Sequence, residues 1–243
     1  MKIAFFDFET TGKDIKTDRV TQLAVCLYDT EDKRLIRSFS DTLYSEEYPS
    51  IHPDAAEVTK TTDAWIQRAG SLPYESFMML LHFFNSADWI AGHNIRQFDL
   101  PVLEAELERM HLKMNPIQKC IDTRFDIEYP KTVATRKLQY LAIEHDIVAK
   151  GAHSALFDVI MNAELFFKYD INRTLELASS PEIWVRADVS FDNKQQAKDR
   201  KYLWDGTQKI WVKQIKEMFY DKEKTEAPFQ VLKLQDGYKF PEA

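Results

Sequence analysis

Apolar positions fall in short, β-branched runs through the first forty-odd residues and in helical stripes after that. Ile3 to Phe6 opens a strand over residues 1–9, and Val20 to Tyr28 reads as a second. Arg34 to Tyr44 alternates loosely as a third, joined to the second by the turn-like Asp29 to Asp32. Sequential strands with short connections predict an antiparallel meander at the start of a mixed sheet. An irregular stretch with two prolines, Glu46 to Pro53, precedes helical patterns over 54–68 and 74–84. A short buried strand follows at 88–91. The next helix, 100–110, carries Leu100, Leu103, Leu107 and Met110 on one stripe. Pro101 belongs in its first turn, which sets the start near Asp99. A short strand at 119–121 and helices at 137–145 and 155–169 complete an α/β domain with helices packed on a mixed sheet.

The pattern divides the chain into a domain over 1–172, a linker over 173–183 and a small α+β module over 184–243. The 243 residues suffice for one full core and a smaller appendage. In the module, the charged run from Asp221 to Ala227 reads as a surface loop and Phe229 to Leu234 as a returning strand. A net charge of −7 is no footprint of a strongly basic, non-specific nucleic-acid binder, but it leaves room for an enzyme that uses metal ions and a local basic patch. No apolar run is long enough to span a bilayer, and no secretory leader is visible. Cys26 and Cys120 lack metal-type spacing and read as buried thiols. A cytoplasmic protein without membrane partners is the expectation.

The candidate chemistry starts in Phe6-Asp7-Phe8-Glu9-Thr10-Thr11-Gly12. Asp7 and Glu9 are two apart, so on a strand they share one face, with Phe6 and Phe8 on the other. Alone they read equally as solvated acids or as ligands for a hard divalent cation such as Mg²⁺ or Mn²⁺. Asp99 follows a strand and opens a helix, where it reads first as a cap. His153 and Asp158 would lie ~140° apart on one helix, and converge only if His153 sits on the loop before it. Taken together, four acids at three strand or helix ends match the demands of two-metal phosphoryl chemistry, and His153 suits the general base.

These three segments are Phe6 to Gly12, His93-Asn94-Ile95-Arg96-Gln97-Phe98-Asp99, and His153-Ser154-Ala155-Leu156-Phe157-Asp158, the last in an H-x-A-x-x-D pattern. Over roughly residues 1–170 the chain resembles the DEDDh exonucleases, the group that includes polymerase proofreading subunits, exonuclease X and RNase T. The resemblance implies a ribonuclease H-like mixed five-stranded sheet flanked by helices. It implies hydrolysis from a 3′ end with release of nucleoside 5′-monophosphates, using two Mg²⁺ or Mn²⁺ ions held by Asp7, Glu9, Asp99 and Asp158, with His153 as base. It also implies that Phe8, Thr10, Thr11 and Asn94 hold the terminal nucleotide. Single-stranded or frayed DNA 3′ ends, as in proofreading or repair, are the expected substrate. The alternatives are an RNA 3′-end trimmer of the same fold, and an end-binding module or polymerase-associated subunit with little activity. The chain departs from the family at Val58-Thr59-Lys60-Thr61, where His-Gly-Ile-Thr is common in a loop near the substrate. Asp122 falls in a segment that is usually structural.

The C-terminal module has its own look. Residues 184–216 hold three of the five tryptophans, and between Lys194 and Lys216 seven basic residues face two acids. The stretch resembles a module, "D-x-K-x-x-A-K-x-x-G-x-x-W-D…K-x-W", appended to some phage and bacterial exonucleases, with Lys201 in place of the Gly. Lys194, Lys198, Lys213 and Lys216 form the expected DNA-contact patch; Trp204 and Trp211 read either as stacking platforms for single strands or as the module's small core, and the core is the favoured expectation.

Overall fold

The computed structural model describes residues 1–115, 119–148, 151 and 153–241. Ala152, which leads into the third motif, and the last two residues of the C-terminal module lie outside the described residues. The chain forms two compact units, Met1–Ala178 and Ser179–Ala243.

In the first unit, β1 (Lys2–Thr10), β2 (Val20–Asp29) and β3 (Arg34–Thr42) form the expected meander. Then come α1 (Pro53–Thr59), α2 (Asp63–Ala69), α3 (Pro73–Phe84), β4 (Trp89–Gly92), α4 (Asp99–Arg109), β5 (Cys120–Asp122), α5 (Thr123–Asp126), α6 (Leu138–Glu144), α7 (Ala155–Phe166) and α8 (Ile171–Ser179). The sheet is mixed and five-stranded, ordered β3-β2-β1-β4-β5, with β1 antiparallel to β2 and parallel to β4. This is the fold expected from the sequence.

Strand alternation places β1 at the centre of two cores. Ala4, Phe6 and Phe8 pack with Phe77, Leu80 and Phe84 of α3 and with Val102, Leu103 and Leu107 of α4. Ile3 and Phe5 face the other way, beneath Ala155, Val159, Ala163 and Phe166 of α7. Asp7 and Glu9 continue the second set, at the carboxyl end of the strand. In open α/β sheets, ligands bind outside that end.

Three expectations are corrected. The single helix over 54–68 is two helices, because Lys60 takes a left-handed conformation (φ 57°) and the Thr62 hydroxyl caps α2 by accepting from the Trp65 N–H. The linker at 173–183 is instead the rest of α8 and the start of the next strand. Ile171, Leu175 and Ala178, at helical spacing, pack onto the α7 core, and the Asp170 carboxylate accepts from the Arg173 N–H at the helix start. The loop expected at 221–227 is mostly a helix, residues 220–226.

The second unit is a four-stranded antiparallel sheet ordered β7-β8-β6-β9. Its elements are β6 (Glu182–Asp188), α9 (Lys194–Asp199), β7 (Leu203–Asp205), β8 (Ile210–Lys216), α10 (Tyr220–Glu226) and β9 (Gln230–Lys233). Val185, Ala187, Ala197, Tyr202 and Val231 form its core. The charged run at 221–227 folds as α10 because one of its acids turns inward: Glu223 accepts a two-pronged bond from Arg200, at 3.1 and 2.8 Å, and faces Lys213. Among the described residues, no helix is long and apolar enough to cross a membrane.

Candidate active site

Four carboxylates meet at the end of β1. Asp7 and Glu9 come from the strand itself. Asp99 stands at the first residue of α4 and reaches back across the sheet to accept from the Phe8 N–H at 3.1 Å. It is therefore not the helix cap; Phe98 occupies that position and makes no side-chain cap bond. Asp158 projects from the first turn of α7. His153 lies on the loop before α7, at φ 65°, and its backbone N–H donates to Asp158 Oδ2 at 3.3 Å. That placement is the one condition under which His153 and Asp158 converge. One ligand-type atom from each of Glu9, His153 and Asp158 lies within 4.8 Å of the others.

The electrostatics are those of a site awaiting positive charge. Burial, then repulsion from Asp99, Glu9 and Asp158, pushes the Asp7 carboxyl well above its ordinary range. Burial, then Asp158 and Asp99, raises Glu9 to about 8. Burial raises Asp99 to about 7 against the opposing Phe8 N–H bond, and raises Asp158 to about 6 against the His153 N–H. Among the described residues, no ion pair neutralises any of the four. Asp158 Oδ1 is buried without a hydrogen-bond partner there. Hard oxygen donors, one of them orphaned, in mutual repulsion and beside an imidazole fit divalent cations.

Beside the acids lies a cavity of about 450 Å³, lined by Phe8, Glu9, Thr10, Lys13, His52, Ala55, Val58, Thr59 and Phe98, among others. Of the residues expected to hold a nucleotide, Phe8 and Thr10 line it. Thr11 does not: it is fully buried, its hydroxyl donating to Asp18 at 2.8 Å and accepting from the Arg19 N–H at 3.0 Å. Asn94 does not either. Its amide oxygen accepts from Arg124, its N–H donates to Asp122, and its left-handed φ of 68° suits the turn it makes. Asp122 is buried and binds the backbone N–H groups of Asn94, Arg96 and Arg124, a structural role. The sequence reading did not single out His52 and Phe98. Apolar Phe98 directly before Asp99 was the available signal; nothing marked His52.

Comparison with known proteins decides the family. The exonuclease (RNase T) family profile matches residues 4–166. The chain belongs to this exonuclease family. It is a 3′→5′ exonuclease, and members of the family use divalent metal ions. Ribonuclease T of Shewanella sp. strain MR-4 is 27% identical over 199 residues, covering 72% of this chain and 84% of the relative. The fold is shared with E. coli Exonuclease I in complex with a dT13 oligonucleotide, at a TM-score of 0.62 and 19% identity over 69% of this chain. That match covers only 40% of the Exonuclease I chain. It is shared too with the nuclease domain of 3′hExo, a DEDDh family member bound to rAMP, at a TM-score of 0.56 and 17% identity over 69% of this chain and 90% of that one.

In the second unit the four lysines expected as one patch have different surroundings. Lys213 faces Glu223 at 3.4 Å, and Lys216, mostly buried, faces Glu182 at 3.7 Å. Lys194 and Lys198 instead lie over the rings of Phe191 and Trp211. Trp211 packs against the core, but Trp204 is 48% exposed, so the expected tryptophan core is only half formed.

Proposed function

We propose that this exonuclease trims DNA from single-stranded or frayed 3′ ends, with Asp7, Glu9, Asp99 and Asp158 as ligands for two Mg²⁺ or Mn²⁺ ions and His153 as general base. The convergence of the four acids with His153 beside a nucleotide-sized cavity carries this reading. Two such ions, when bound, polarise the scissile phosphate and stabilise the attacking and leaving oxygens. The side chains do the rest. Phe8 and Phe98 offer apolar surface to the terminal base, and Thr10 and Glu9 line the path to the phosphate. An imidazole nitrogen of His153 accepts the proton of the attacking water. The Asp158–His153 backbone bond keeps the His loop against the acids. The expected product is a nucleoside 5′-monophosphate.

The DNA assignment has support in the fold shared with Exonuclease I, which is seen with a dT13 oligonucleotide. The similarity to proteins named Ribonuclease T favours RNA as the second reading. Rates on matched single-stranded DNA and RNA of one sequence, measured in Mg²⁺ and in Mn²⁺, distinguish them. Faster trimming of RNA overturns the DNA assignment while leaving the chemistry in place.

A further inference from the structure

The second unit carries a feature that the exonuclease chemistry does not use. β7 is an edge strand, and edge strands are usually short and guarded by charge. Here Leu203 and Trp204 are both about half exposed instead. Trp204 pairs across the sheet with Trp211, the two rings 5.3 Å apart and tilted by 55°. Both line a cavity of about 270 Å³, together with Phe191, Lys209, Ile210, the end of β6 from Arg186 to Asp188, and Val189 just beyond it. Phe191 is 77% exposed, the largest exposure of any big apolar side chain among the described residues. The ammonium groups of Lys194 and Lys198 sit 3.6 Å and 6.0 Å from the ring centres of Phe191 and Trp211. Among the described residues, Lys194, Lys198, Lys209 and Arg186 have no acid partner, whereas Lys213 and Lys216 do. Among the described residues that line the cavity, the cations are Arg186 and Lys209 and the acid is Asp188.

Exposed aromatic faces interleaved with unpaired cations are what an unpaired nucleic-acid strand requires: rings on which bases stack and charges for its phosphates. A purely apolar partner does not call for the cations, and a purely anionic one does not call for two exposed rings. We propose that this cavity is a second nucleic-acid site, which stacks an unpaired base against Trp204 and Phe191 while Lys194, Lys198 and Lys209 hold neighbouring phosphates. The polymer is identified as nucleic acid because the same chain is an exonuclease; the site itself is independent of the acids on β1. Covalent tethering of the two units makes the second contact intramolecular, so strands long enough to reach both sites gain affinity.

The test uses the full chain in chelator, where cutting is blocked. Binding of fluorescent oligothymidylate and oligouridylate, each longer than ~16 nucleotides, is followed by anisotropy across a salt titration. Trp204→Ala and Phe191→Ala, each shown folded by circular dichroism, are expected to bind both polymers about 5- to 150-fold more weakly, the range for losing one stacked base. Lys194→Gln/Lys198→Gln/Lys209→Gln is expected to lower the slope of log affinity against log salt by about 2. In Mn²⁺, hydrolysis of thymidine 5′-monophosphate p-nitrophenyl ester, which has no strand to reach a second site, should be unchanged in every variant. Wild-type affinity in the Trp204 and Phe191 variants overturns the proposal, and so does a loss confined to one polymer, which assigns recognition to the sugar. Failure of the wild type to hydrolyse the ester or any strand counts against the exonuclease assignment, and the anisotropy measurements still judge the cavity.

Discussion

Substituting Glu9 by Gln should make the metal-free protein more stable while stopping catalysis. Glu9 titrates near 8 in the folded chain instead of at its ordinary 4.5, because it is buried next to Asp158 and Asp99. A folded-state carboxyl pKa above the unfolded one means that the folded protein holds the proton more tightly, so stability without metal falls as pH rises through the interval between the two values. For Glu9 that interval runs from 4.5 to about 8. At ~1.4 kcal/mol per pH unit, full ionisation of this one group sets several kcal/mol against the fold. Coupling to its neighbours and local relaxation reduce what is recovered, and Glu9→Gln should return about 1–3 kcal/mol at pH 8. For a unit of this size that is a rise in Tm of roughly 2–4 °C for each kcal/mol. The assay is thermal unfolding in chelator from pH 5 to pH 8.5, wild type beside Glu9→Gln, repeated in Mn²⁺. The wild-type Tm should fall across this range and Glu9→Gln should flatten the fall. Saturating Mn²⁺ should raise the wild-type Tm and reverse the ranking, since only the wild type keeps the full ligand set. An equal pH slope in both proteins, or a lower Tm for Glu9→Gln in chelator at pH 8, refutes the electrostatic account of the site.

Three further outcomes follow from named contacts. His153→Ala should lower kcat about 10²- to 10⁴-fold with little change in the Tm shift caused by Mn²⁺; a kcat within a few-fold of wild type removes His153 from the base role. Arg19→Ala should cost about 1.5–3 kcal/mol, read by urea unfolding, because Glu106 is fully buried and accepts from Arg19 at 2.9 and 3.1 Å, leaving only the Val20 N–H and the Arg109 guanidinium at 3.3 Å to face it. Arg19→Ala/Glu106→Gln should recover much of that loss. Gly92→Ala should destabilise by about 1–3 kcal/mol, since a Cβ there would meet the Phe6 carbonyl oxygen at 2.8 Å and Ile95 at 2.2 Å, and its effect on cutting should exceed its effect on stability by displacing β1 beneath Asp7.

The four candidate acids were legible because each stands where a regular pattern ends. Asp7 and Glu9 break the apolar alternation of β1, Asp99 opens a proline-marked helix, and Asp158 follows a His at a spacing that a helix alone does not explain. Tertiary context had to supply the rest. Thr11 looks like a substrate residue in sequence, but its hydroxyl is taken by Asp18 and Arg19. His52 lines the cavity from the cap position before α1, and no local pattern ties that position to the acids on β1. α10 was hidden because an inward-facing Glu223 is indistinguishable from a solvated one until its partner Arg200, 23 residues away, is placed. The same holds for the basic patch: sequence counts the lysines but cannot tell Lys213, which faces an acid, from Lys194, which faces a ring.

The most direct test of the central claim follows single-stranded oligonucleotides labelled separately at the 3′ and 5′ ends, cut by the wild type and by Asp7→Ala/Glu9→Ala in Mg²⁺, Mn²⁺ or chelator. The account requires the 3′ label to leave first as a nucleoside 5′-monophosphate, the 5′-labelled strand to shorten stepwise, and both processes to vanish in chelator and in the variant. Cutting that survives the loss of the two acids or of the metal, or a 5′ label that leaves first, contradicts it.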